Sequence, residues 1–214
     1  MIKSSEKVII LNNIPFTIEE KKVLRSLRIP KISTLKEIEE EHIAKGIKNA
    51  MEMAYSLIKG KACYRTFKIT GVSEGRVMID ESSQLFFGEN MVRLLKNCDY
   101  ATLLVCTIGI DLVNKIEELK KTSLTDAYYM DRVGASMADY MAEQVGGVIE
   151  TEIIKNGYKP TFRYAAGYGD WELSAQTEIM RLTEAKRIGV SVTETFIMNP
   201  RFSVSAVIGW ERKV

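Results

Sequence analysis

The chain contains 214 residues, of which 46% are hydrophobic and 27% are charged, as is usual for a globular protein. Its 30 basic and 28 acidic residues give a formal net charge of +2, which excludes a strong electrostatic attraction to nucleic acid or to an anionic membrane surface. Residues 1–6 lack the apolar core of a signal peptide, and no apolar run approaches the ~20 residues of a membrane span. We therefore expect a cytoplasmic protein that forms one domain over residues 1–214, with neither a nucleic acid nor a membrane as its partner.

Residues 1–60 are predicted to be a helical N-terminal part with two helices, over residues 17–27 and 35–58. Each helix follows a capping-box pattern, in which a Thr precedes a Glu by three positions. The second helix has apolar residues at three-to-five spacing, which is typical of an amphipathic helix. The residues that bound the two helices are Phe16 and Thr17-Ile-Glu-Glu20, Pro30, Thr34-Leu-Lys-Glu37 and Gly60.

Residues 61–214 are predicted to be an α+β body. The predicted strands are 62–69, 76–80, 100–108, 161–164, 190–198 and 202–210. The predicted helices are 89–96, one that begins at Asp111, 125–154 and 174–187. The final two strands are separated by Asn199-Pro200 and could pair as a hairpin. Because strands occur early, centrally and late with helices between them, we expect an α+β fold with a mainly antiparallel, twisted sheet flanked by long helices.

Two of these elements have distinctive patterns. Residues 100–108 form a continuous apolar run with a bias to β-branched side chains, which predicts a buried central strand. The helix over 125–154 has small side chains on part of its surface, where another element or a ligand can approach closely. Those small residues are Gly134, Ala135, Ser136, Ala138, Ala142, Gly146 and Gly147.

The cysteines and the histidine restrict the possible chemistry. Cys63, Cys98 and Cys106 are an odd and widely spaced set, which favours reduced thiols over a disulfide framework. His42, the one histidine of the chain, lies among glutamates on a predicted helix, where a solvated position is expected. A zinc or iron site of the usual ligands and a histidine-based catalytic triad are therefore not expected.

The most informative segment is Arg163-Tyr-Ala-Ala-Gly-Tyr-Gly-Asp-Trp171. Arg163 can bind a carboxylate through two parallel hydrogen bonds, and the backbone at Ala165 and Gly167 can bond a ligand. Tyr168 and Trp171 offer flat apolar faces with polar tips. The pattern suits a small ligand with a carboxylate and an aromatic ring. A glycine-containing turn whose aromatic side chains only pack is equally compatible with these residues.

Further blocks extend this motif in a specific order. Downstream of Arg163-x-Ala-x-Gly-Tyr168 come Gln176, Ile188-Gly-Val190, Thr193-Glu-Thr195 and Pro200-x-x-Ser-Val-Ser205. Upstream, on the predicted long helix, a second block extends from Asp131 to Val145. Over residues 161–206, the order and spacing of these pieces resemble the activation domain of cobalamin-dependent methionine synthase.

The resemblance implies a reactivation role. In that family, the cobalt cofactor becomes stranded as cob(II)alamin, and the activation domain presents S-adenosylmethionine while a flavodoxin-type donor supplies an electron. The resemblance implies that cobalamin belongs to the partner, a corrinoid-binding methionine synthase or methyltransferase without its own activation domain. This chain would then be a stand-alone accessory subunit for reductive methylation.

The resemblance also assigns site residues within the 161–206 segment. Arg163 corresponds to the residue that takes the methionine carboxylate of S-adenosylmethionine. Ala165, Gly167 and Tyr168 fall on positions that contact the ligand through backbone and packing. Methyl transfer to a cobalt carried elsewhere needs positioning more than acid–base groups, so the scarcity of histidine is compatible with this role.

Three features depart from the family pattern. The family places a carboxylate near the ligand on the long helix, and this position is Ala135 here. Asp131 and Asp139 lie one turn to either side on the same helical face, and we expect them to substitute. The family's N-terminal aspartate motif has no clear counterpart, and a tyrosine that the family uses lies beyond the position of Val214.

Two other functions are compatible with the sequence. The departures favour a docking or chaperone module for a corrinoid protein, with a decayed S-adenosylmethionine site. An independent enzyme that uses Asp170, Glu172 and Glu194 as acid–base groups is a further alternative. Ligand binding separates the first alternative from the reactivation role, and turnover without a corrinoid partner identifies the second.

Overall fold

The computed structural model describes residues 7–15, 17–29 and 31–213. Its α-helices are α1 (Glu20–Ser26), α2 (Glu41–Leu57), α3 (Glu89–Leu95), α4 (Asp111–Leu119), α5 (Leu124–Lys155) and α6 (Ala175–Leu182). Its strands are β1 (Ile9–Asn12), β2 (Lys61–Ser73), β3 (Arg76–Ile79), β4 (Ser82–Phe87), β5 (Cys98–Thr107), β6 (Lys159–Pro160), β7 (Ser191–Val192), β8 (Met198–Asn199) and β9 (Ser203–Glu211). Short 3₁₀ helices cover Leu35–Glu37 and Ala185–Ile188.

A seven-stranded antiparallel sheet organises the structure, in the order β4-β3-β2-β5-β9-β6, and β1 pairs with the first part of β2. The second part of β2 pairs with β3 after a register shift between Ile69 and Gly71. A separate two-stranded sheet is formed by β7 and β8. The α+β class with a mainly antiparallel sheet and long helices is confirmed. No helix within the described ranges is long and apolar enough to cross a membrane.

The central strand β5 explains why residues 100–108 are apolar without interruption. Leu104 and Cys106 pack into a hydrophobic cluster shared with α5 on one face of the sheet. Leu103 and Val105 pack into a second cluster shared with α6 on the other face. Because successive side chains of a strand point to opposite faces, a strand covered on both sides needs apolar residues at every position. The predicted buried central strand is confirmed.

The long helix α5 is also confirmed. It begins after Ser123, whose Oγ accepts a hydrogen bond from the backbone N–H of Asp126 at 3.2 Å. A Cβ atom built on Gly134 would lie 2.7 Å from Leu112 Cδ2 and 2.8 Å from Phe202 Cζ. The small side chains of α5 therefore allow α4 and the chain before β9 to pack closely against it.

The N-terminal helices differ from the prediction in their bounds. The Thr34 capping box is present, but it opens the 3₁₀ helix, and α2 begins at Glu41. Ile38 adopts an extended conformation, and the five-residue step from Ile38 to Ile43 breaks the helical period. The first helix begins at Glu20 and not at Thr17. Strand β1 was not predicted, and residues 1–6, Phe16 and Pro30, on which other predictions fall, lie outside the described residues.

The predicted pairing of the last two strands is wrong. Residues 190–198 are not one strand, because a turn over residues 193–197 reverses the chain, with Thr193 N–H bonded to the Ile197 carbonyl at 2.9 Å. Strands β7 and β8 are the two arms of this short hairpin. Strand β9 instead pairs with β5 along its length, and the side chains of β9 are buried on both faces of the sheet. The predicted strand over 161–164 is wrong in its bounds. The strand β6 lies just before it, and within the predicted range the structure has an isolated bridge between Tyr164 and Val207.

Candidate functional site

A cavity of about 370 Å³ lies at the outer edge of β9, where the two sequence blocks meet. Helix α5 borders it on one face of the sheet, and the first turn of α6 borders it on the other. The lining residues are Asp139, Arg163, Tyr164, Ala165, Ala166, Tyr168, Gln176, Met198, Ser203, Val204 and Ser205. The Arg163 motif and the Ser203–Ser205 segment, which are distant in sequence, therefore form one concave site.

The edge of β9 is open beside this cavity. Tyr164 and Val207 exchange backbone hydrogen bonds of 3.0 and 2.8 Å, and no strand pairs with the outer edge of residues 203–206 in the part of the chain that the structure describes. In an antiparallel sheet, the backbone groups of alternate residues face opposite neighbours. Since Val207 faces outward, the backbone groups of Ser203 and Ser205 also face outward, toward the cavity.

Arg163 and Asp139 form an ion pair at the α5 side of the cavity. Arg163 Nη2 lies 3.1 Å from Asp139 Oδ1, and the side chains are 23% and 70% exposed. Partial burial of the guanidinium strengthens its interactions, because water screens it less. A guanidinium carries five N–H donors, so Arg163 can hold Asp139 and a second carboxylate together.

Two buried polar side chains that line the cavity each have an oxygen atom without a hydrogen-bond partner among the described residues. Gln176 is 5% exposed and Ser205 is 2% exposed. Gln176 Oε1 and Ser205 Oγ have no partner among the described residues. A buried polar atom without a partner is unfavourable, so each such atom in a native fold needs an explanation. Neither residue had a predicted role, although polar residues in the otherwise apolar β9 were the signal that could have identified Ser205.

The aromatic side chains of the motif differ in burial. Trp171 is 2% exposed, and its ring stacks on that of Tyr164 with centroids 6.1 Å apart. Phe86 contacts the same ring, with centroids 5.7 Å apart. Trp171 thus belongs to the core, and it supports the motif from below instead of offering a face to a ligand. Tyr168 is 67% exposed and lines the cavity at its rim.

Gly167 shapes the motif through its backbone. Its φ of +90° is in the region that favours glycine, and its N–H donates to the Trp171 carbonyl at 2.8 Å. This N–H is therefore used within the turn, and the backbone contact of Gly167 with a ligand stays a prediction. Ala165 lines the cavity directly.

The two aspartates proposed to replace the missing carboxylate have different surroundings. Asp139 lines the cavity and bonds Arg163. Asp131 lies two turns earlier on α5, where it forms a close ion pair with Arg201, and it is not one of the residues that line the cavity. Ala135 lies between the two aspartates and borders a neighbouring groove of about 450 Å³, which Asp139 also lines. The structure therefore brings Asp139, and not Asp131, to Arg163.

The other candidate reactive groups are used elsewhere. Asp170 Oδ2 accepts a hydrogen bond of 3.1 Å from Asn90 N–H at the start of α3, and Glu172 accepts one of 3.0 Å from Ser174. His42 is exposed on α2. Within the described ranges, no group of three or more His, Cys, Asp or Glu side chains is arranged to hold a metal ion. Burial raises the pKa values of the thiols to about 12, and the three residues are Cys63, Cys98 and Cys106.

Comparisons with known proteins agree with this fold. The crystal structure of the MetH reactivation domain bound to AdoHcy is similar in fold, with a TM-score of 0.61 and 18% sequence identity. The similarity covers 97% of this chain and 79% of the other. A comparison with curated proteins found no match. A family model described as "Vitamin B12 dependent methionine synthase, activation domain" matches residues 89–214, which include every residue that lines the cavity. The chain therefore belongs to the activation-domain family of vitamin B12-dependent methionine synthase.

Proposed function

We propose that this chain binds S-adenosylmethionine at the edge of β9 and supports reductive methylation of cob(II)alamin on a separate corrinoid protein. The observation that carries the proposal is the cavity itself, which is lined by a partly buried Arg163 and by two buried oxygen atoms without partners among the described residues. Family membership and the AdoHcy bound to a protein of similar fold support the same ligand class. AdoHcy is what remains of S-adenosylmethionine after its methyl group is transferred.

The ion pair of Arg163 and Asp139 suits the amino-acid end of this ligand. An α-amino acid carries a carboxylate and an ammonium group on the same carbon. Arg163 binds the carboxylate through two N–H donors, and Asp139 accepts hydrogen bonds from the ammonium group. In this proposal, Asp139 supplies the carboxylate that is missing at Ala135. Asp131 is held by Arg201 and contributes to the packing of α5 instead.

The rest of the motif holds the ligand in position. Gly167 sets the turn, Ala165 borders the ligand, and Tyr168 packs over it from the rim. S-adenosylmethionine supplies a methyl group on a positively charged sulfur, and the cobalamin and its ligands belong to the partner protein. A flavodoxin-type donor provides the electron. The residues of this chain bind and orient the ligand, and positioning of this kind can account for a large part of a catalytic effect.

The binding test compares the purified protein with an Arg163→Ala variant by calorimetric titration with S-adenosylmethionine. We expect saturable binding by the unchanged protein and an affinity about 10 to 100 times lower for the variant, because a charge-assisted hydrogen bond is lost. Arg187→Ala is a matched control, since Arg187 pairs with Glu184 and lies outside the cavity. Its affinity should remain unchanged. Absence of binding up to millimolar ligand would contradict the proposal and favour a docking or chaperone module.

A second test addresses the partner. The protein, S-adenosylmethionine and a reduced flavodoxin are mixed with a corrinoid methionine synthase that lacks its own activation domain and has been oxidised to cob(II)alamin. We expect the absorbance spectrum to change to that of methylcobalamin at a rate that depends on this protein, and Arg163→Ala should slow the change. Ligand binding without any effect on the corrinoid protein would support the proposed S-adenosylmethionine site but contradict the reactivation role.

A further inference from the structure

The cavity passes around the sheet edge from the face covered by α5 to the face covered by α6. Ala165 packs against the hydrophobic cluster of the α5 face, and the next residue, Ala166, belongs to the cluster of the α6 face. On the first face, Arg163 bonds Asp139 of α5. On the second face, Gln176 lines the cavity from the first turn of α6. The charged pair and the uncharged amide therefore border different sides of one cavity.

Ser205 shares the α6 side with Gln176. Side chains alternate along a strand, and Val207, two residues after Ser205, belongs to the hydrophobic cluster of the α6 face. The residue paired with Ser205 on β5, Val105, belongs to the same cluster. The Ser205 hydroxyl is therefore directed to the face from which Gln176 lines the cavity.

The unpartnered atoms indicate which hydrogen-bonding groups a ligand needs on the α6 side of the cavity. Gln176 Oε1 is an acceptor, so it needs an N–H or O–H donor, whereas the Ser205 hydroxyl can donate or accept. No charged side chain lines the cavity apart from Arg163 and Asp139, within the part of the chain that the structure describes. An uncharged group with several hydrogen-bonding atoms fits the α6 side better than an ionic group does, because a buried charge without a counter-charge is unfavourable.

The backbone of β9 adds to the same side. The N–H and C=O of Ser205 face the open edge of the strand and supply one donor and one acceptor to the cavity that Gln176 also lines. Met198 contributes an apolar, adaptable thioether side chain to the lining. The cavity thus combines uncharged polar groups with an apolar side chain on this side. A nucleoside has the matching combination, because its ribose hydroxyls and base amine are attached to flat rings with apolar faces.

We infer that Gln176 and Ser205 form a nucleoside subsite, distinct from the subsite of Arg163 and Asp139 that takes the charged amino-acid end. This inference rests on the proposed function of the cavity and assigns its two sides to the two parts of the ligand. It also makes Gln176 and Ser205 determinants of specificity. A ligand that lacks the nucleoside leaves both atoms unpaired, and selectivity against such analogues is large when buried polar groups lose their partners.

The inference predicts opposite effects of one substitution on stability and on binding. Ser205→Ala removes a buried hydroxyl that has no partner in the free protein, so the melting temperature of the free protein should rise by about 2 to 4 °C. The same substitution should weaken nucleoside binding about threefold to tenfold, because a hydrogen bond to the ligand is lost. A hydroxyl with a purely structural role would give a lower melting temperature and unchanged binding.

The experiment uses two probes, S-adenosylmethionine and methylthioadenosine, which has the nucleoside but no amino-acid end. Both are titrated into the full chain and into Ser205→Ala, Gln176→Met and Arg163→Ala variants. We expect Ser205→Ala and Gln176→Met to weaken both probes about threefold to tenfold, and Arg163→Ala to weaken S-adenosylmethionine alone. Thr183→Val is the control, because the buried Thr183 hydroxyl donates to the Ile179 carbonyl at 2.7 Å and lies outside the cavity. It should lower the melting temperature and leave both affinities unchanged.

The outcomes separate the inference from the proposed function. Unchanged affinities of Ser205→Ala and Gln176→Met, with normal binding of S-adenosylmethionine by the unchanged protein, would overturn the nucleoside subsite alone. Binding of methylthioadenosine that these variants weaken, without binding of S-adenosylmethionine, would support the subsite and overturn the proposed function. If the unchanged protein binds neither probe, both are overturned.

Discussion

Two sets of buried polar side chains lie in or against the main sheet, and they differ in whether their hydrogen bonds are made. In the interior, Thr66 and Thr102 share a hydrogen bond of 2.8 Å between their hydroxyls, and Trp210 Nε1 donates to Thr102 Oγ1 at 2.8 Å. At the open edge of β9, Gln176 Oε1 and Ser205 Oγ are equally buried and have no partner among the described residues.

Burial alone therefore does not identify a functional polar residue. A satisfied buried network stabilises one packing arrangement, because breaking it leaves groups unpaired in a medium of low dielectric constant. Unsatisfied groups at a cavity reduce the stability of the free protein and can be paired by a ligand. Ser205 is available for that purpose because the strand edge beside it is open, whereas Thr102 lies on β5 between two full-length neighbours.

The largest effect is expected from Thr102→Val, which tests the satisfied set. The substitution leaves the Trp210 indole N–H and the Thr66 hydroxyl without their shared partner in the core, so the free energy of unfolding should fall by about 2 to 3 kcal/mol. Denaturant unfolding measures this loss. Thr151→Val, at an exposed position of α5, is the matched control and should change it by less than about 0.5 kcal/mol. A loss as small as that of the control would contradict the structural role of the network.

Substitution of the two aspartates of α5 is expected to have a smaller effect, and it tests which of them belongs to the binding site. Asp139→Ala removes the carboxylate beside Arg163, so the affinity for S-adenosylmethionine should fall about 5 to 20 times through loss of a charged hydrogen bond. Asp131→Ala breaks the pair with Arg201, outside the cavity, and should leave the affinity within about twofold. Calorimetric titration of both variants measures the two affinities. Equal losses of affinity would show that Asp131 also contributes to the binding site.

The smallest effect concerns buried thiols, which are tolerated in the core only when uncharged. Burial raises the pKa of Cys106 from 9.0 to about 12, so the folded state retains the proton more strongly than the unfolded state does. The contribution of the protonated thiol to the free energy of unfolding is fully present below pH 9, and it is lost as the pH rises from 9 toward 12. At pH 10 this loss is about 1 kcal/mol for one such thiol.

The measurement is the free energy of unfolding at pH 8 and pH 10 for the unchanged protein and Cys106→Ala. The variant is expected to have a smaller difference between the two pH values, whatever its absolute stability. Cys63 and Cys98 contribute in the same direction, since burial raises their thiol pKa values to about 12 as well. A stability that is independent of pH over this interval would show that the thiols ionise freely in the folded protein.

Local patterns predicted the elements whose signals are contained within a few residues. Strand β5 follows from an apolar run that needs cover on both faces, and the helix predicted over 125–154 agrees with α5 to within one residue at each end. The Thr34 capping box was also predicted, but its continuation into a helix was not realised, because the apolar period breaks after Ile38. Short strands such as β1 have too few residues to produce a recognisable period.

The α+β class, the family and the proposal of a ligand motif around Arg163 follow from the amino-acid sequence. Tertiary structure alone decided that β9 pairs with β5, that Asp139 and not Asp131 reaches Arg163, and that Trp171 is buried while Tyr168 is exposed. It also brought Gln176 and Ser205 together at an open strand edge. The reason is physical: the first set depends on propensity and spacing along the chain, whereas the second depends on which faces meet and which hydrogen bonds remain unmade once the sheet is assembled.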